Sequence, residues 1–572
     1  MRRLFIAALL AFAAATAGAQ TLSEALTYSE NNYYGTARSM ALGNAMTALG
    51  GDLGSVGINP AGSAVAGYSQ FTISPGLTLM TTNSGYSIGY DDDYHNFVDS
   101  KHNRFVVPNV GFSLKLDTYR TSGLKNFTVA VLANTTDQYL NDFSGSGVNG
   151  NTSMLGSFGI YASPYSPADL NDPDNYFDSS IPWNYLLAYQ AGMISDAYDE
   201  YGNPMVTPEG NYTYLGATES MYRLDDGSYD IRTAGALDQT STVRTLGSKT
   251  DLLINFGMNF NDNLYLGFNL GMPLISYQYD ESFRETAVDP SQFEVEYKDG
   301  VITNFSHATY DYSQISDISG AYAKLGVIWL PFNGLRLGAA VQTPTAFNIE
   351  DRWFVKGATS FANSNCNTSA ISPDNIYRYD LTTPWRFNVG AALTLGNFGL
   401  ISADFETADY SSMRFSTVEG GSNYFSVEND VNYYFSGRQY EGRFGAEIKL
   451  SPEFCIRAGY GFKTSAQYEA VDKNGDRYNS GAFLANYDDF ESGRNWFESK
   501  VADSAVTNTF SAGVGYSSNG SFFVDAAFTY AKYPTKYFNP YSDYITGGLT
   551  YLPEVANTRN LANVVLTLGW RF

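Results

Sequence analysis

Cysteine, histidine and positive charge are all scarce in this chain. Two cysteines, Cys366 and Cys455, occur in 572 residues, too few for a disulfide framework. The strand pattern below puts them at opposite ends of the fold, so they are not expected to pair. The three histidines, His95, His102 and His307, fall in loops or loop edges without metal or triad spacing, and no phosphate-binding glycine motif stands in context. Asp472-Lys473-Asn474-Gly475-Asp476 opens like a calcium loop but lacks the glycine and the final glutamate such a loop needs, and reads as a solvated loop. No catalytic residue, metal or cofactor is therefore expected. Lysine and arginine number 34 against 58 acidic residues, a formal charge of −24, which argues against nucleic acid as a partner.

Long apolar runs are missing as well. Arg2 and Arg3 precede a short apolar stretch over 4–17, and Ala17-Gly18-Ala19 offers a small-residue cleavage site. Residues 1–19 read as a signal peptide. Beyond them nothing approaches the roughly 18 apolar residues of a membrane-spanning helix. What the chain has instead is 45 tyrosines, 38 phenylalanines and 54 glycines, with only 16% charged residues. That balance suits many strands whose two faces differ in polarity.

About fourteen such strands follow residue 70, each marked by period-two alternation. In the last one Val564, Leu566, Leu568, Trp570 and Phe572 share a face opposite Asn563, Thr567, Gly569 and Arg571. Leu252, Ile254, Phe256, Met258 and Phe260 likewise oppose Asp251, Asn255, Gly257 and Asn259. A soluble sandwich and a membrane barrel both produce this pattern, and the connections separate them. Short links at 117–123, 261–263, 331–334, 396–397, 451–452 and 517–520 alternate with long ones at 82–104, 137–239, 285–304, 352–375, 416–430, 471–504 and 534–560. Short periplasmic turns alternating with long outer loops are the mark of an outer-membrane barrel. In lipid every backbone group must pair, so the sheet has to close. The expected fold is all-β: a transmembrane antiparallel barrel over 70–572 with its largest loop at 137–239.

A barrel of that size needs a plug, because side chains alone do not fill it. Residues 20–69 are left over from the strands, and 38–66 are rich in Ala, Gly and Ser. A short helix over 39–49 would stop at Gly50-Gly51, and Pro60 fixes a second bend. The run Ala37-Arg38-Ser39-Met40-Ala41-Leu42-Gly43-Asn44-Ala45, then Asn59-Pro60-Ala61-Gly62, resembles the hatch of the FadL/TodX-type outer-membrane transporters of long-chain fatty acids and other hydrophobic compounds. Leu335-Arg336-Leu337-Gly338-Ala339, Thr343-Pro344, Thr383-Pro384-Trp385-Arg386-Phe387, Arg457-Ala458-Gly459-Tyr460 and the terminal aromatic strand are further points of likeness. The resemblance implies fourteen strands and a hatch closing the periplasmic side. It also implies capture by outer loops and passive, sideways release into the membrane beside a kinked third strand.

On this reading Asn59, Pro60, Ala61 and Gly62 are the hatch and gating residues. A ligand carboxylate would need fixed cations in the lumen, and the basic strand positions Arg336, Arg386, Arg443 and Arg457 are the candidates, with pairing to lumenal acids as the competing role. In the long loop, Trp183, Leu186, Leu187, Met193 and Ile194 form an apolar run that could be a capture surface or a helix packed on other loops. The expected protein is a monomeric, non-enzymatic outer-membrane channel of a Gram-negative bacterium. Its partners would be membrane lipid and a hydrophobic small molecule such as a fatty acid. The alternative is a surface receptor or adhesin that works through its long loops.

Overall fold

The side chains sort by polarity in the inverse of a soluble protein. Buried positions include Asn255, Asn269, Lys324, Asn388, Asp404, Arg443 and Thr567, while Leu325, Val389, Val514 and Phe528 are about half exposed. The computed structural model describes residues 21–572 except 89–92, 179–180, 200, 208–209, 226, 298–299, 422, 468–504, 519–520, 542–543, 547–548 and 552. The signal-peptide stretch and the calcium-loop-like segment at 472–476 lie outside the described residues.

Fourteen strands form the wall: β1 (Gln70–Ser87), β2 (His95–Asp117), β3 (Leu124–Gln138, continued by Asn141–Asn149), β4 (Leu237–Phe260), β5 (Leu264–Ala287) and β6 (Ile302–Phe332) come first. Next are β7 (Leu335–Gln342 and Ala346–Phe361), β8 (Asn375–Thr382 and Arg386–Thr394), β9 (Gly399–Asp409) and β10 (Arg438–Lys449). The wall ends with β11 (Phe454–Thr464), β12 (Val506–Ser517), β13 (Phe522–Lys532) and β14 (Glu554–Arg571). Each pairs antiparallel with the next, and β14 returns to β1 with Gln70 opposite Arg571, which closes the fourteen-stranded barrel. The breaks inside β7 and β8 fall at Pro344 and Pro384, which have no N–H for the ladder. Thr345 and Thr383 bridge the break, with the Thr345 N–H donating to Thr383 Oγ1 at 2.9 Å. No described helix is long and apolar enough to cross a membrane, and the strands of the barrel turn apolar side chains outward.

The strands are longer than their alternation suggested. β6 runs for 31 residues, whereas a membrane crossing needs about 9–11. Much of the stretch at 352–375, expected as loop, is strand up to Phe361. On the outer face of β7, Glu350 pairs with Arg352 and with Arg378 of the neighbouring β8. There the contrast is inverted: Phe347, Ile349, Trp353 and Val355 of β7 are buried on the inner face while Asn348, Glu350 and Arg352 make the outer face polar, so the apolar-outward pattern of the lower wall no longer marks the strand.

Residues 21–69 fill the lumen. Helix α1 (Leu22–Ser29) opens with a capping box in which Thr21 and Glu24 satisfy each other's backbone N–H groups. Helix α2 (Ala37–Ala41) is shorter than the 39–49 helix expected, because Gly43 and Asn44 take φ of +61° and +57° and turn the chain. A 3₁₀ turn over Leu53–Gly57, capped by Asp52, leads to α3 (Gly62–Val65) and then to β1. At the outer end, helices α4 (Met154–Ala162) and α5 (Trp183–Gln190) cap the barrel.

Candidate functional site

Small residues decide where the hatch sits. Gly257, Gly267 and Gly326 are cross-strand neighbours on β4, β5 and β6, as are Gly338 with Gly390 and Gly445 with Gly459. A Cβ at Gly267 would collide with the Pro60 backbone, one at Gly326 with the Asn59 amide and one at Gly338 with Thr47, each closer than 3.0 Å. On the other side of the lumen, Gly445 and Gly459 receive Leu42 and Gly43, and Gly513 receives Ala41. The wall therefore carries a belt of missing side chains into which the hatch backbone is pressed. Strand glycines usually mark close backbone approach, which is the signal that could have found them.

The four hatch residues Asn59–Gly62 lie in this belt. Asn59 is fully buried. Its Nδ2 donates to Thr47 O at 2.6 Å and to the wall carbonyls of Val327 and Ala339 at 3.1 and 3.4 Å, and its Oδ1 accepts the Ala61 N–H at 3.0 Å. Pro60 O accepts from Asn255 Nδ2 at 3.0 Å. Lysines on the wall hold the rest. Lys249 Nζ donates to Tyr28 O, Glu30 O and Asn31 Oδ1, Lys324 Nζ to Gly57 O, and Lys463 Nζ to Asn31 O and Asn32 Oδ1 while pairing with Glu30 at 3.1 Å. Sequence reasoning passed over these lysines, although each stands at a polar position of an alternating strand.

The four candidate arginines do not come together at a ligand site. Arg336 donates to Leu49 O at 2.6 Å, and Arg386 reaches Ser29 O and Tyr410. Arg386 and Arg443 flank Glu406 at 3.4 and 2.9 Å, and Arg457 bridges Glu447 at 2.7 Å and Asp525 at 2.5 Å. They are fasteners between wall strands and between wall and hatch, and none lines the main cavity. Lumenal acids at matching parity took them up. The apolar run of the long loop is also engaged. Leu186, Leu187, Met193 and Ile194 are buried, and Trp183 meets Trp353 of β7 with ring centroids 4.2 Å apart. Leu187 packs against Trp353 and Val355, so this face docks the cap on the wall.

Between cap and hatch lies a cavity of about 640 Å³, within the range of roughly 300–1,000 Å³ seen for small-molecule sites. Its walls are dominated by tyrosine, among them Tyr139, Tyr277, Tyr279, Tyr310 and Tyr312. α1 forms its floor through Glu24, Leu26 and Thr27, and the cap contributes Phe158 and Tyr185. Glu285 ties the cap to β5 by accepting from Ser153 Oγ at 2.7 Å and the Met154 N–H at 2.8 Å.

The cavity meets a seam in the wall. β2 and β3 pair from Asp117–Asn126 up to Asn109–Asn134 and no further. Above that point, next to Pro108, β2 pairs only with β1. β3 stays with β4 through a register shift between Thr135 and Asp137, and its residues 134–138 are buried on both faces. The hatch takes the place of β2: the Tyr34 and Asn32 N–H groups donate to the Thr135 and Thr136 carbonyls at 3.0 and 2.6 Å. Asp137, Gln138 and Tyr139 then line the cavity. Side chains of β2 that cross the seam include Asn96, whose Nδ2 donates to Ser146 O of β3 at 3.0 Å, and Arg104, whose Nη1 donates to Gly247 O of β4 at 2.8 Å.

No family model and no curated protein matches the chain. Among solved structures it is similar to a Pseudomonas aeruginosa FadL homologue, with 9% identity, 95% of this chain and 99% of that one covered, and a TM-score of 0.48. It is also similar to the Ralstonia pickettii toluene transporter TbuX (13% identity, 94% and 98% covered, TM-score 0.42) and to the Pseudomonas putida toluene transporter TodX (11%, 95% and 99%, 0.42). At these scores the chain's own geometry has to carry its function.

Proposed function

We propose that the protein is a FadL/TodX-type passive channel of a Gram-negative outer membrane that moves hydrophobic small molecules, long-chain fatty acids among them. The ligand enters under the cap and rests in the tyrosine-walled cavity. It leaves sideways between β2 and β3. The observation that carries this reading is the seam: the ladder between two neighbouring strands stops partway up, where the cavity lining begins. A strand edge with unpaired backbone is costly in lipid, so a passage there is a built feature. The hatch blocks the straight path to the periplasm, with Asn59–Gly62 as its fastening point, which favours lateral release over an axial pore.

The test is uptake of a fluorescent fatty acid into proteoliposomes. The native protein should deliver label to the bilayer, and Arg104→Trp, which fills the seam, should block delivery while leaving binding unchanged. Delivery that ignores the seam variant would favour an axial route. Absence of delivery by the native protein would move the assignment to a loop-centred receptor.

A further inference from the structure

The cavity's chemistry does not match a plain hydrocarbon or an ordinary fatty acid. On one flank, where β13 runs on through Lys536–Phe538, the exposed Lys536 lines the cavity. Its ammonium has no hydrogen bond or direct ion pair among the described residues; the carboxylates of Glu30 and Asp137 feel its charge from further off, and Glu30 is in direct contact with Lys463. On the other flank, β5 and β6 present Glu281 and Gln314. Glu281 accepts from Tyr279 Oη at 2.8 Å through Oε2, and its Oε1 has no partner among the described residues. Gln314 accepts from Tyr312 Oη at 2.6 Å. Between the flanks stand tyrosine rings, with Tyr279 and Tyr312 edge to face at 6.0 Å.

Each feature constrains the occupant. Rings accept an apolar body. A cation without a local partner accepts an anion. A carboxylate oxygen accepts a hydroxyl or amide N–H, and one covered by hydrocarbon would lose its hydration without compensation. Toluene satisfies the rings alone. A fatty acid satisfies the rings and Lys536 but lays methylenes over Glu281. Building on the channel reading above, we infer that the ligand is a hydroxylated anionic amphiphile: an apolar skeleton with an acid group for Lys536 and at least one hydroxyl for Glu281.

The test uses the full chain in lipid nanodiscs, with cholate, oleate and toluene as probes and empty nanodiscs as the blank. Cholate should bind about tenfold tighter than oleate, the difference one buried hydrogen bond makes. Glu281→Gln should weaken cholate by a similar factor and leave oleate unmoved. Lys536→Gln, at an exposed position that leaves the wall intact, should weaken both acids and leave toluene unmoved. Heat-resistant migration on gels checks that each variant is folded. Oleate or toluene binding as tightly as cholate, or cholate indifferent to Glu281→Gln, would overturn the inference while leaving a channel for simpler molecules. Failure of all three probes to bind would overturn the channel reading with it.

Discussion

Asn59 and Gly326 are two halves of one contact. The Asn59 amide donates to a hatch carbonyl and to two wall carbonyls, all buried, and Gly326 leaves the room it needs. Asn59→Ala strands Thr47 O and the Ala61 N–H, at about 1–3 kcal/mol for each buried group left unmet, while the Val327 and Ala339 carbonyls stay within the wall ladder. The expected outcome is a loosened hatch, read as steady ion conductance in planar bilayers, with the barrel still heat-resistant on gels. Gly326→Ala drives a methyl into the Asn59 side chain and the Pro60 ring. Overpacking typically costs about 1–3 kcal/mol, and because the wall is anchored on both sides the hatch should be the part that shifts. Its conductance should at least match that of Asn59→Ala, while Gly150→Ala, which meets no atom within 4 Å, should be silent. Glu30 adds a pH dependence. Burial pushes its carboxyl up, but Lys463 and Lys536 outweigh burial and hold it below the ordinary value of 4.5. Such a group stabilises the hatch above about pH 4.5, and that contribution is lost as pH falls through the lowered value. Glu30→Gln should therefore leak more than the native protein at pH 7, and the difference should vanish in acid.

Elements differ in how openly the sequence declared them. β14 and β4 could be read from alternation alone, since one face meets lipid and the other meets the polar lumen. The upper parts of β6 and β7 could not, because there the cap and hatch cover an apolar inner face and the outer face turns polar, which inverts the contrast. The hatch was legible through Asn59-Pro60 and its small residues, but its sockets were not. Gly257 and Gly267 face each other across one hairpin, but Gly326 lies much further along the chain and joins them only through register. The arginines could be picked out as basic strand positions, yet position says nothing about whether Glu406, Glu447 or Asp525 has already claimed them. The seam had the weakest signal of all. Pro108 breaks a ladder on β2, and 134–138 show no exposed face, but only the pairing reveals that β3 turns inward to meet Asn32 and Tyr34. Arg104 is one of the side chains that reinforce this opening, with Asn96 another. Arg104→Ala removes its bond to Gly247 O and should speed delivery of a bound fatty acid to liposomes severalfold. Equilibrium binding in the cavity should stay within about twofold, since the guanidinium lies outside the cavity lining.

Taken whole, the molecule is a tube closed twice. The hatch closes it on one side, held by the glycine belt and by Lys249, Lys324 and Lys463. The cap closes it on the other, held by Glu285 and by the packing of Trp183 and Leu187 on β7. The two closures use different side chains, and where they share strands β5 and β7 their anchors stand far apart along the strand, so they should fail independently. Leu187→Asp places a charge where the native side chain is fully buried against Trp353 and Val355, a change that such a site does not tolerate. The cap should lift, and iodide should then quench the tyrosines of the cavity far more strongly than in the native protein. Conductance should remain low, because the hatch is untouched. Asn59→Ala should show the reverse, with raised conductance and little change in quenching by iodide added on the cap side. Combining the two should give both effects at close to their separate sizes, as expected for distant sites without a shared partner. If lifting the cap alone opened the pore, the two closures would be coupled, and α1, which forms the cavity floor beneath the cap, would be the element that transmits the change.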